Sequence, residues 1–264
     1  MTAWLLYIGV GAFAGVLAGL LGVGGGLVIV PMLTFIFTSQ GMPGEHILHV
    51  ALGTSLASIV FTSLSSLRAH HRRGAVDWLV VRRITPGIMA GTFCGAWVAA
   101  RLSTGFLKGF FVAFAYYVAL QLLLDIRPHP HRQLPGRAVM SGVGGVIGGV
   151  SSLVGIGGGS MSVPFLVWCN LALRNAIGTS AAIGLPIALA GSAGYVFNGL
   201  AVALPPGSIG FVYLPALLGV SAASMLTAPL GARLAHSLPI GRLKKIFALL
   251  LIVMGTKLLL SMFS

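Results

Sequence analysis

The sequence predicts an all-α integral membrane protein built from two inverted repeats, each a glycine-broken helical V followed by three transmembrane helices. Three observations predict it. Of 264 residues, 57% are hydrophobic and only 7% charged, with a mean hydropathy of +1.01. A soluble domain carries about 25% charged residues, so this composition does not make a water-facing globular surface. Apolar segments close to the roughly 20 residues that span about 30 Å of hydrocarbon fill the chain. A glycine-rich run ending in proline occurs once in each half. A soluble enzyme, a disordered chain and a coiled coil are thereby excluded.

Full-length apolar segments lie at 47–67, 78–100, 106–124, 176–198, 208–234 and 246–262. Two further stretches, 4–38 and 138–173, each interrupted by glycines, are long for one crossing and short for two with a turn. Each is either one long broken helix or a V of two shorter helices. The basic residues decide between these. Cytoplasmic loops carry the excess of Lys and Arg. If each broken stretch is a V without net crossing, 13 of the 16 basic residues share one side and only Arg101, Lys108 and Lys257 face the other. A single crossing would split them 9 against 7. The V is preferred. Three crossings then follow each V, and three is odd, so the second half enters the membrane upside down.

The repeat is also visible directly. Gly22-Val23-Gly24-Gly25-Gly26-Leu27-Val28-Ile29-Val30-Pro31 returns 133 residues later as Gly155-Ile156-Gly157-Gly158-Gly159-Ser160-Met161-Ser162-Val163-Pro164. Ala51-Leu52-Gly53-Thr54-Ser55 returns as Ala176-Ile177-Gly178-Thr179-Ser180, and Gly95-Ala96 with Gly105-Phe106-Leu107-Lys108 returns as Gly231-Ala232 with Gly241-Arg242-Leu243-Lys244. The expected organisation is a first repeat over 1–126, a basic cytoplasmic linker over 127–137 and a second repeat over 138–264, together one membrane domain. Inverted repeats with interrupted segments at corresponding positions point to a secondary transporter with its site between the halves.

The net charge of +13 follows from basic loops held on one side of a bilayer and gives no reason to expect nucleic acid. The start of the chain lacks a basic n-region, so no cleaved signal peptide is expected. Cys94 and Cys169 lie apart in apolar sequence, which indicates packing roles and neither a disulfide nor a metal site. The three acids, Glu45, Asp77 and Asp125, fall near span ends, with solvated or capping roles. His70, His71, His129 and His131 belong to basic loops, while His46, His49 and His236 lie near span ends. No metal or cofactor is expected.

Binding chemistry is therefore left to the main chain and hydroxyls. Consecutive glycines permit backbone conformations closed to other residues and let a ligand approach the main chain. Pro31 and Pro164 each come five residues after the last glycine, as expected for a first helical turn. Each run then reads as helix, open glycine turn, and the N-terminus of a second helix inside the membrane. Such an end offers free amides and roughly half a positive charge, a ready site for a small oxyanion. The candidate substrate-binding residues are Gly24, Gly25, Gly26, Gly157, Gly158 and Gly159, with hydroxyls from Ser160, Thr54, Ser55, Thr179 and Ser180. Small residues also pack membrane helices. Asn198, Gln121, Tyr116, Tyr117 and Tyr195 are read as interfacial or packing groups.

The twin runs ending in proline, each followed by a Gly-Thr-Ser helix, resemble the sulfite exporter TauE/SafE family, also called the toluene sulfonate uptake permease family. The resemblance covers essentially the whole chain. It implies transport of small sulfur-containing oxyanions such as sulfite or organosulfonates, with the glycine runs holding the anion. The expected protein is thus a multi-pass exporter of the cell inner membrane, surrounded by lipid, with its basic loops cytoplasmic and its oligomeric state left open. A passive anion channel, or a transporter of another small organic anion, is the alternative. An intramembrane enzyme is not expected. Gly158-Gly159-Ser160-Met161-Ser162 makes no Gly-x-Ser-x-Gly elbow, and no acid pair lies in the membrane.

Overall fold

A computed structural model of the chain describes residues 2–21, 25–124, 133–237 and 240–262. The first half contains α1 (Thr2–Leu21), α2 (Gly26–Ser39), α3 (Ile47–His71), α4 (Trp78–Ala99) and α5 (Thr104–Leu123). The second contains α6 (Arg137–Val154), α7 (Gly159–Trp168), α8 (Leu173–Gly199), α9 (Leu214–Ser237) and α10 (Ile240–Leu260). Among the described residues, six helices (α1, α3, α5, α6, α8 and α9) are long and apolar enough to cross a membrane. Large apolar side chains cover the outside, among them Leu226 at 77% and Phe197 at 67% exposure. A surface of that kind belongs against lipid, and the protein is a multi-pass helical membrane protein.

Each broken stretch is two helices of unequal length. α1 and α6 have 20 and 18 residues, whereas α2 and α7 have 14 and 10. The long arm alone reaches the length of a crossing. The first pair still doubles back, because Gln40 Nε2, just after α2, donates to Tyr7 Oη near the start of α1 at 2.9 Å. Pro31 and Pro164 do not sit in a first turn. Helices α2 and α7 begin at Gly26 and Gly159, so each proline is the sixth helical residue and leaves the carbonyl four residues back without its amide.

Two other sequence expectations change. The segment 208–234 is not helical throughout. Two residues on each side, β1 (Ser208–Ile209) and β2 (Val212–Tyr213), pair antiparallel before α9 starts. Gly207 and Gly210 adopt φ of 90° and 51°, outside the helical range, and so hold the chain out of a helix ahead of α9. His70 is not a loop residue. It lies fully buried in the last turn of α3, where its Nε2 meets the Gly19 carbonyl of α1 at 3.1 Å. Asp77 fulfils its expected capping role: Oδ1 accepts from the Leu79 and Val80 amides at 3.0 and 3.1 Å, at the start of α4. Asp125, His129 and His131 lie outside the described residues.

Helix packing relies on glycine, as expected where no hydrophobic force separates helix from lipid. On α4, Gly87, Gly91 and Gly95 face Ser141, Gly145 and Gly149 of α6 so closely that a Cβ at Gly91 would strike the Gly145 carbonyl. These ascending pairs make α4 and α6 parallel. Gly11, Gly15 and Gly19 face Val220, Ser224 and Ala228, so α1 and α9 are parallel as well. α3 and α8 run antiparallel, with Gly53 against Tyr195 and Ser63 against Gly184. α5 and α10 also run antiparallel, with Lys108 beside Ser261 and Tyr116 beside Thr256. The contacts exchange in pairs: α1 packs on α9 as α6 packs on α4, and α2 on α3 as α7 on α8.

Candidate functional site

The two glycine runs break the chain in the same way. Gly25 precedes α2 with φ 75° and ψ −7°, and Gly158 precedes α7 with φ 75° and ψ −5°. This left-handed conformation costs most L-residues about 1–2 kcal/mol and is free to glycine. In the turns that follow, the Val28 and Ile29 amides return to the Gly25 carbonyl at 3.0 and 3.1 Å, and Met161 and Ser162 return to that of Gly158 at 3.1 and 2.9 Å. The amides ahead of them at each helix start have no acceptor within the helix.

These helix starts lie deep in the bundle. Gly158 sits beside Ile187, near the middle of the 27-residue α8. The two runs also meet: a Cβ on Gly26 would strike the Gly155 carbonyl, and Ser55 Oγ donates to that same carbonyl at 2.8 Å. Gly26 and Gly159 are buried, and the Gly157 carbonyl faces Gly184 of α8. Gly24 lies outside the described residues.

The candidate hydroxyls divide by what they touch. Thr54 Oγ1 accepts from the Tyr213 amide at 2.9 Å, and Thr179 Oγ1 accepts from the Asp77 amide, also at 2.9 Å. Each threonine thus braces the entry to a following helix, α9 in one case and α4 in the other. Ser55 holds the second glycine run. Ser180 and Ser162 share a hydrogen bond at 2.7 Å, fully buried. Ser160 is 7% exposed, and among the described residues its hydroxyl has no hydrogen-bond partner. It lines a cavity of about 450 Å³ together with Phe110, Phe114, Tyr117, Val150, Met161 and Pro164.

Other polar groups are buried beyond those the motifs indicate. Ser58, Thr62 and Ser66 continue the face of Thr54 along α3, and Thr62 pairs with Ser224 of α9 at 2.6 Å. Their spacing of four is a readable signal, but it is shared by any packing face. Ser151, in the last turn of α6, is also fully buried with an unpartnered hydroxyl. Of the residues read as packing groups, Tyr195 donates to the Ser152 carbonyl at 3.0 Å, Asn198 to that of Gly194 at 2.7 Å, and Tyr116 pairs with Thr256 at 2.8 Å. Among the described residues no cluster of three or more metal-ligating side chains occurs.

Comparison with known proteins identifies the family. Residues 7–258 match the family described as sulfite exporter TauE/SafE. The chain belongs to this family. A probable membrane transporter protein of Haemophilus influenzae is 40% identical over 262 residues, covering 98% of this chain and 99% of its own length. One from Methanocaldococcus jannaschii is 29% identical, covering 97% and 95% respectively. The probable membrane transporter protein YunE of Bacillus subtilis is 28% identical, covering 78% and 85%. No solved structure matches significantly. As a TauE/SafE family member with a lipid-facing helical surface, the chain is a membrane transporter.

Proposed function

We infer that this transporter is a secondary carrier that moves small sulfur-containing oxyanions, such as sulfite or organosulfonates, outward across the cell inner membrane. The observation that carries this reading is the matched pair of left-handed glycine caps. Each opens a short helix deep in the bundle, and the two runs touch. Main-chain amides and a helix dipole at such depth favour a small anion, and they need no carboxylate, metal or cofactor. Glycine-run amides and the hydroxyl of Ser160 hold the anion. Ser55 and Ser180 fix the runs, while Thr54 and Thr179 brace the helices that close around them. The first repeat covers 1–126 and the second 138–264, joined by the linker 127–137.

The two repeats are inverted. Supporting this, α1 runs with α9 and α6 with α4, whereas the matching helices α3 and α8 run against each other, as do α5 and α10. Following the chain with these directions brings the end of α3 and the starts of α4, α6, α8 and α10 to one end of the bundle. Of the 14 basic residues among those described, 11 lie toward that end, which is the cytoplasmic one. The halves rock about the paired breaks to expose the anion alternately to each side.

A thermal-shift screen on the purified protein tests the substrate class. Sulfite, thiosulfate and methanesulfonate should raise the melting temperature in a saturable way, and chloride and phosphate should not. Stabilisation by none of the sulfur oxyanions would overturn the reading.

A further inference from the structure

The two helix starts are alike in backbone and unlike in chemistry. At the offset of 133 that aligns the glycine runs, Ser151, Ser160 and Ser162 of the second half correspond to Ala18, Leu27 and Ile29 of the first. The second-half serines are buried. Ser162 is satisfied by Ser180 at 2.7 Å. Ser151 and Ser160 are not: among the described residues neither hydroxyl has a partner. A serine on a helix ordinarily turns its hydroxyl back to the carbonyl three or four residues earlier, as Ser58 does to Thr54 and Ser192 to Ala188. Leaving a hydroxyl unmade in a buried site costs about 1–3 kcal/mol, so two around one helix end call for a ligand.

Both hydroxyls flank the start of α7. Ser160 is the second residue of that helix, and it faces the cavity walled by Phe110, Phe114 and Tyr117. Ser151 stands beside the cap, with its Oγ 3.3 Å from where a Cβ of Gly158 would be. The start of α2 offers nothing similar. Its corresponding side chains are apolar, and a protein carbonyl, that of Gly155, already fills the space against Gly26.

We propose that the oxyanion is bound by one half only: the start of α7 holds a single anion per chain, and Ser151 and Ser160 donate to its oxygens, while the start of α2 is a structural mirror that never binds substrate. This rests on the oxyanion reading above and narrows it to one site and two named donors. The three or more oxygens of a sulfur oxyanion accept from both hydroxyls and the helix amides at once.

Isothermal titration of the full chain in nanodiscs, with sulfite and thiosulfate as probes, tests it. The wild type should bind one anion per chain. Ser160→Ala and Ser151→Ala should each weaken binding about tenfold, the usual loss for a hydrogen bond to a charged group. Ser160→Thr, which keeps the hydroxyl, should restore affinity, and Leu27→Ala at the mirror position should leave it unchanged. If the wild type binds neither probe, the oxyanion reading itself fails. If it binds with two anions per chain, or if Ser160→Ala and Ser151→Ala bind as tightly as wild type while unfolding normally, the reading survives and the one-sided site is wrong.

Discussion

Replacing Gly158 with alanine should destabilise the protein by about 2–5 kcal/mol, through two separable penalties. Gly158 holds φ at 75°, and an L-residue pays about 1–2 kcal/mol for that conformation. The added methyl would strike Ile187 Cδ1 and come within 3.2 Å of Ile147 Cγ2 and 3.3 Å of Ser151 Oγ. Overpacking of this kind costs about 1–3 kcal/mol. The steric share can be removed on its own. Ile187→Val deletes the offending Cδ1 at a cost of about 0.5–1.5 kcal/mol, and in the double variant it should cost less than its single value. The conformational share of about 1–2 kcal/mol should persist. Gly142→Ala is the control, since a Cβ there meets nothing within 4 Å and a helical alanine gains up to about 1 kcal/mol over glycine. Reversible unfolding in mixed detergent micelles, followed by tryptophan fluorescence, reads all four variants. If Gly158→Ala is as stable as Gly142→Ala, the left-handed cap does not exist and the account of the helix start collapses.

Other substitutions test the frame around the site. Gly91→Ala should cost about 1–3 kcal/mol, because its methyl meets the backbone carbonyl of Gly145, which no rotamer change can relieve; Gly9→Ala, with open space, should be neutral or stabilising in the same unfolding assay. Thr54→Val and Thr179→Val should each lower stability by about 1–3 kcal/mol by orphaning the Tyr213 and Asp77 amides, with sulfite affinity unchanged in titration. A loss of affinity at equal stability would return these threonines to the binding site. Asp77→Ala should cost about 0.5–2 kcal/mol through loss of the α4 cap, measured as a shift in the unfolding midpoint.

The large features were legible because they rest on composition and spacing. The recurrence of Gly-x-Gly-Gly-Gly with a proline five residues later marks both helix breaks, and Gly25 and Gly158 take matching dihedrals. Less could be read where tertiary contacts decide. Thr54 and Ser55 are neighbours in one motif, yet one accepts from a distant amide and the other donates to the opposite run, a division set by facing backbone. Ser151 carries no motif at all; it is found only through its burial without a partner and its place beside Gly158. His70 reads as part of a basic cluster until α3 is seen to continue through it onto α1. The prolines were placed one turn too early because a glycine start, with no side-chain cap, leaves no mark of where the helix begins.

Counterflow of radiolabelled sulfite in sealed proteoliposomes separates a carrier from a channel. A carrier with one anion site exposed to each side in turn should accumulate label transiently against an excess of unlabelled sulfite inside, with saturable rates. Label that only equilibrates, accompanied by a voltage-driven conductance, would contradict alternating access and make the protein a channel.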